Sequence, residues 1–313
     1  MKKRLLFMGI ILAFSSVIIA TFVNYQSQKR ENRVFGFTCM TMNNPFYEVI
    51  NNELCKVIES QGDRLLTLDP ALDMEKQNQQ IQQFIEKKVD GIFVNPIDST
   101  AIEPSLKKAQ AAGIPIIAVD APVNHSDLVN VTVVSDNYDA GVQCAEDMMT
   151  RFKQAKIILL KHTATKSAKD RIDGFLATIK NQPQYQVVNE GESKGQLELA
   201  MPLVGKMLQE IPEVDVVMAL NDPSALGALA ALAEAGKTKV KVYSVDGTPD
   251  LKSLISNNSN VIGTVAQSPI SLGKIAGEEM YALLAGGREK EVIVPVDLIT
   301  KENVFKYDVN GWQ

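Results

Sequence analysis

GIFVNPIDSTAIEPSLKKAQAAGIPIIAVD, residues 91–120, sets two short apolar runs, at 91–94 and 114–119, on either side of an amphipathic stretch at 100–112. Apolar runs bounded by Gly, Pro, Asn and Asp read as strands buried on both faces, and the stretch between them reads as a crossover helix. Each run ends on a polar side chain, Asn95 and Asp120. The unit is therefore βαβ, and it repeats outward in both directions.

Upstream, a strand is expected at 35–40, followed by Ile50, Leu54, Val57 and Ile58 at i, i+4, i+7 and i+8, one face of a helix. A strand at 65–68 and a helix at 74–87 complete that side. Downstream, strands are expected at 131–134, 157–160, 186–188, 214–220, 240–245 and 261–266, with helices between them, including the alanine-rich stretch 223–235. The class is α/β. About nine or ten strands exceed one compact sheet of ordinary size, so two similar doubly wound parallel-sheet lobes are expected. No low-complexity segment or solenoid repeat interrupts them.

The composition agrees. Of 313 residues, 45% are apolar and 22% charged, enough for a sizeable core, and the net charge of −5 gives no footprint for nucleic acid. Cys39, Cys55 and Cys144 form no C-x-x-C pair and read as small buried apolar residues, with a Cys39–Cys55 bridge as the alternative. Lys2, Lys3 and Arg4 precede the uncharged run 5–23, whose 19 residues give about 28 Å of helix, close to a bilayer core. A retained membrane anchor with a stalk at 24–33 is expected, placing the rest on the outer face; a cleaved secretory signal is the alternative.

Five strands end on an amide or carboxylate: Asn95, Asp120, Asn221, Asp246 and Gln267. In open α/β sheets the carboxyl ends of strands face the ligand crevice, so these side chains are expected to converge there. Amides donate and accept while carboxylates accept, which suits a ligand made of hydroxyls. Helix capping is the competing reading of each residue singly. Enzyme signatures fail. EAGKTK at 234–239 lacks the phosphate-loop glycine at Ala231, there is no G-x-S-x-G, and His125 and His162 are the only histidines, so neither a metal nor a cofactor is expected. Asp120 and Asp246 as a glycosidase pair remain a minor reading.

MTMNNPFYEVI at 40–50, VNPIDS at 94–99, LNDPSALGALAAL at 220–232 and SVDGTPD at 244–250 together resemble the type I periplasmic sugar-binding proteins, of the ribose-binding kind. The same core occurs in LacI-type repressors, but here the apolar run 5–23 stands where their DNA-reading head would be. The resemblance implies two lobes hinged by three crossings, near residues 135–137, 266–268 and 296–298, that close on a sugar. It implies an amino-terminal lobe of 34–135 plus 267–296 and a carboxyl-terminal lobe of 136–266 plus 297–313. Carried over residue by residue, it places sugar contacts on Asn44, Phe46, Tyr47, Asn95, Asp120, Arg171, Asn221, Asp246 and Gln267. Phe46 and Tyr47 would sandwich the apolar face of a ring, and Arg171 would fork onto ligand oxygens; a surface ion pair with Asp170 or Asp173 is the alternative for Arg171.

Three departures from the ribose pattern stand out. Ala121 occupies an arginine position, the second-lobe aromatic wall is lost near Gly195, and Val245 replaces an aromatic. Ribose itself is therefore in doubt. The implied function is a monomeric receptor that hands a sugar or polyol to the permease of an ABC importer. The alternative is an anchored sensing module that presents its closed form to a sensor histidine kinase.

Overall fold

Two six-stranded sheets with the same strand order carry the chain. The first contains β1 (Val34–Thr38), β2 (Arg64–Leu68), β3 (Gly91–Val94), β4 (Ile116–Val119), β5 (Val131–Ser135) and β11 (Glu291–Val294). The second contains β6 (Ala155–Lys161), β7 (Tyr185–Glu192), β8 (Val216–Ala219), β9 (Lys241–Asp246), β10 (Val261–Ala266) and β12 (Asp297–Thr300). Their strand orders, β11-β5-β4-β3-β1-β2 and β12-β10-β9-β8-β6-β7, correspond term by term. All pairings are parallel except β10 with β12. This computed structural model describes residues 32–211, 213–287 and 290–313, of which Val34–Gln313 form one unit. The expected anchor at 5–23 and its stalk to residue 31 lie outside the described residues. Among the described residues, no helix is long and apolar enough to cross a membrane.

Helices cover both faces of each sheet, as parallel sheets require. In the first lobe α1 (Pro45–Ser60) and α9 (Pro269–Leu284) lie on one face, and α2 (Met74–Glu86) and α3 (Glu103–Ala111) on the other. In the second, α4 (Asn137–Arg151) and α5 (Lys166–Ile179) oppose α6 (Leu197–Glu210), α7 (Asp222–Glu234) and α8 (Pro249–Asn257). The chain passes between the sheets three times: from β5 to β6, from β10 to β11, and from β11 to β12.

One helix pair bears directly on the site. A Cβ on Gly141 of α4 would stand 1.9 Å from the Arg171 carbonyl of α5, and one on Gly174 would stand 2.1 Å from the Tyr138 carbonyl. Only glycine at both positions lets the backbones approach this closely. That contact sets the depth at which α5 carries Arg171.

The strands differ from expectation where local chemistry intervenes. The run at 114–119 enters the ladder only at Ile116, since Pro115 has no N–H, although its carbonyl accepts from Ile92 N at 2.9 Å. The strand expected at 186–188 extends over Tyr185–Glu192, because an edge strand accepts polar residues on its wet face. The helix expected from residue 100 starts at Glu103, because Asp98 Oδ1 first accepts from the backbone N–H groups of Thr100 and Ala101, at 2.8 and 2.9 Å, in a turn. β11 and β12 have no counterpart among the expected strands. No disulfide links Cys39 to Cys55: all three cysteines are free, Cys39 and Cys144 buried and Cys55 half-buried.

Candidate functional site

The carboxyl edges of the two sheets face each other across a cleft lined by Asn44, Phe46, Tyr47, Asp120, Arg171, Asn221, Asp246 and Gln267. Eight of the nine residues expected from sequence therefore meet in one place. Asn95 stands one layer behind. Its Oδ1 accepts from Met40 N at 3.1 Å, and its Nδ2 donates to Val119 O at 3.1 Å and to Asp120 Oδ2 at 3.0 Å. It fixes the Asp120 carboxylate and is not on the cleft surface.

The aspartates occupy equivalent positions in the two lobes, at the ends of β4 and β9, and both hold the backbone at positive φ, +68° for Asp120 and +136° for Asp246. Such strain at a non-glycine residue concentrates at functional sites. Asp120 Oδ2 also lies 3.5 Å from the Tyr47 hydroxyl, while its buried Oδ1 has no partner. Burial pushes the Asp120 carboxyl up to about 6, against the pull of Arg171, Asn95 and Tyr47.

In the second lobe Arg171 is buried and held by three acceptors. Its Nε donates to Asn137 Oδ1 at 2.8 Å, and its Nη1 to Leu220 O at 2.9 Å and to Asp246 Oδ1 at 3.4 Å. The surface reading of this arginine fails, since Asp170 and Asp173 pair with Lys166 and Lys169 instead. Gln267 Nε2 donates to Asp246 Oδ1 at 2.8 Å, which leaves Gln267 Oε1 buried and unpaired. Behind Asp246 sits Asp222, wholly buried, accepting from Thr264 Oγ1, Thr248 N and Thr248 Oγ1 at 2.7–2.9 Å. Burial raises both carboxyls, and for Asp222 the neighbouring Asp246 charge adds to the rise.

Capping and cleft lining coexist at two residues. Asn44 Oδ1 accepts from Phe46 N at 3.0 Å and opens α1; Asn221 Oδ1 accepts from Ser224 N at 3.1 Å and opens α7. Asn221 also reaches Gly195 O through its Nδ2 at 3.1 Å. Phe46 and Tyr47, edge to face with centroids 5.6 Å apart, make an aromatic wall on the first lobe.

Across the cleft the second lobe is mostly polar, with His162, Thr165, Ser167, Lys194 and Gln196 beside the apolar Ala168 and Leu220, and Gly195 where an aromatic was expected to be missing. Val245 is buried in the core beneath, and Ala121 is buried as well. Sequence reasoning missed Met40, Thr41 and Leu72 on the first lobe and these polar residues on the second: Met40 closes the run expected as the first strand but is apolar, and the others lie in loops or at the start of α5. The lobes touch directly, Ser99 N donating to Ala164 O at 3.0 Å and Lys166 N to Ser99 Oγ at 3.1 Å. The cavity between the lobes is small, about 50 Å³, and lined largely by polar side chains.

Two lobes joined by three chain crossings, with a small polar cleft between them, are the architecture of a solute-binding protein. The periplasmic binding protein domain family matches residues 35–289. The ribose import binding protein RbsB of Bacillus subtilis is 30% identical over 279 residues, covering 88% of this chain and 90% of its own. A xylitol-binding protein of Mycolicibacterium smegmatis is 29% identical over 239 residues, covering 74% of this chain and 67% of its own. An ABC transporter solute binding protein from Bacillus halodurans, solved with bound myo-inositol, is 25% identical with a TM-score of 0.83, covering 90% of this chain and 98% of its own. The chain belongs to the type I periplasmic sugar-binding proteins, a family of solute-binding proteins and not of enzymes.

Proposed function

We propose that this protein binds a neutral monosaccharide or cyclic polyol in the cleft between its lobes and delivers it to the permease of an ABC-type importer. The observation that carries the reading is the pair of buried, unpaired acceptors, Asp120 Oδ1 and Gln267 Oε1, on two residues that line one enclosed cleft. A buried polar atom without a partner costs about 1–3 kcal/mol, so a guest that donates hydrogen bonds to both is favoured over water-poor closure. Hydroxyl groups donate, and the Phe46–Tyr47 wall suits the apolar face of a ring.

In this reading Asn44, Phe46, Tyr47, Asp120, Arg171, Asn221, Asp246 and Gln267 touch the sugar, and Asn95 acts through Asp120. The lobes are bounded where the chain crosses, at 34–135 plus 267–296 and at 136–266 plus 297–313. Relatives that include import binding proteins support the importer role over a sensing module. The chain is exported, and its run 5–23 serves as anchor or signal.

A melting screen against D-ribose, D-allose, xylitol, myo-inositol and other pentoses and hexoses tests the proposal. A sugar at 100 times its Kd adds about 2.7 kcal/mol to stability, a shift of several degrees. A screen in which no sugar or polyol raises the melting temperature overturns it.

A further inference from the structure

Trp312, the single tryptophan of the chain, stands next to the carboxyl terminus. Its ring meets Phe46 edge to face at 5.6 Å and 71° and packs on the first-lobe core. Both of its neighbours are held by Lys252 of the other lobe. Lys252, on α8, is wholly buried, and its ammonium donates to Gly311 O at 2.6 Å, to Gln313 Oε1 at 2.9 Å and to Asp308 O at 2.6 Å. An ammonium has three protons, and here all of them go to one short segment. Gln313 Nε2 in turn donates to the backbone oxygen of Gln267, whose side chain lines the cleft, at 2.8 Å.

A buried ammonium is tolerated only when fully hydrogen-bonded, so the side chain of Lys252 and the tail fix each other. The tail is thus fastened to the second lobe while its indole presses on the first. Phe46 is itself the neighbour of Tyr47, whose hydroxyl approaches Asp120, so Trp312 supports the ring wall from behind. Opening of the lobes has to draw the indole away from Phe46 or pull the tail off Lys252.

We propose that Gly311–Trp312–Gln313 is a clasp between the lobes that backs the Phe46 wall and slows ligand release, with Lys252 as its positioning residue. This rests on the reading of the cleft as a sugar site. The clasp joins the two lobes from the rear of the aromatic wall, and it makes Trp312 a built-in reporter of closure.

The test uses the purified full chain, with D-ribose, xylitol and myo-inositol as probes. In Lys252→Met, and in the milder Gln313→Ala should the first fail to fold, Trp312 emission moves to longer wavelength and acrylamide quenches it more readily, without any sugar. In Trp312→Ala the probe that binds dissociates about 2- to 10-fold faster, the worth of one aromatic pair, at an unchanged association rate, and Trp312→Phe restores most of the loss. Unchanged emission in Lys252→Met and Gln313→Ala overturns the anchoring. An unchanged dissociation rate in Trp312→Ala, with or without a lower melting temperature, overturns the clasp. If neither these probes nor any sugar or polyol of the melting screen binds the parent protein, the sugar reading of the cleft is what fails, and the emission of the two anchoring variants decides the tail by itself.

Discussion

Replacing Asp120 by asparagine separates what the cleft needs from what the fold prefers. The carboxyl sits at the end of β4 with no exposure to spare, and burial raises it from the ordinary 3.8 to about 6. Because the folded value lies above the unfolded one, the stability it lends is complete below the unfolded value. It is lost as pH rises through about 6. At 1.36 kcal/mol per unit the penalty carried above pH 7 is about 3 kcal/mol. An amide stands in for the protonated carboxyl: it keeps the bond from Asn95 through its oxygen, turns a donor into the cleft and tolerates the positive φ of this position. The sugar-free Asp120→Asn variant is therefore expected to gain up to about 3 kcal/mol at about pH 8, and the gain nearly vanishes at about pH 4. Opening of the cleft wets Asp120 and reduces the figure, so it is a ceiling.

Binding moves the other way. The acceptor Oδ1 becomes an N–H donor facing a hydroxyl, and the loss of a charge-assisted bond weakens affinity by about 1.5–3 kcal/mol, or roughly 10- to 150-fold in Kd. Urea unfolding at the two pH values measures the first effect and titration calorimetry the second. An Asp120→Asn variant that is less stable than the parent at pH 8, or that gains equally at both pH values, would refute the claim that charge burial is what Asp120 costs the fold.

The remaining predictions are shorter. Affinity of the parent protein is expected to rise with pH through about 6, because hydroxyl donors bind the ionised Asp120; each unit below that value costs up to about tenfold in Kd, and calorimetry between pH 5 and 8 that gives a flat profile contradicts it. Gly141→Ala forces a methyl against the Arg171 carbonyl and should destabilise by about 1–3 kcal/mol while weakening sugar binding, since α5 moves away with Arg171; unfolding and binding measured on the same variant show whether the two losses go together.

The chain order of strands and helices was legible because short, doubly buried runs such as Gly91–Val94 carry no polar residue until they end. The strand-end residues were legible for the same reason: in Asp120 and Asp246 a polar side chain terminates an otherwise apolar run. What stayed hidden lies off the strand ends. Trp312 is separated from Phe46 by most of the sequence, and nothing local marks a tail residue as part of a wall. Leu72 reaches the cleft from a loop at positive φ, a conformation no composition rule assigns to leucine. β11 and β12 were missed because they are four residues each and partly wet, with an alternation too short to read.

The two lobes repeat one strand order and one pair of strained aspartates, yet they present different walls to the guest. In the first lobe, rings and sulfur stand next to Asp120: Tyr47 donates from its hydroxyl to Met40 Sδ at 3.2 Å, and Phe46 lies against it. In the second, the described cleft lining includes His162, Thr165, Ser167, Lys194 and Gln196 and no phenylalanine, tyrosine or tryptophan ring. Stacking area tolerates many ring compounds, whereas hydrogen-bonding groups left unpaired on closure penalise every guest that cannot reach them. On the proposed reading of the cleft, discrimination among sugars would belong to the second lobe, and the common grip on hydroxyls to the paired aspartates. A ligand with one apolar face and hydroxyls distributed over the other satisfies both walls at once. Of the two aromatic departures from the ribose pattern, only Gly195 lies on the second-lobe lining, Val245 being buried in the core beneath it, while the Phe46–Tyr47 wall of the first lobe is kept.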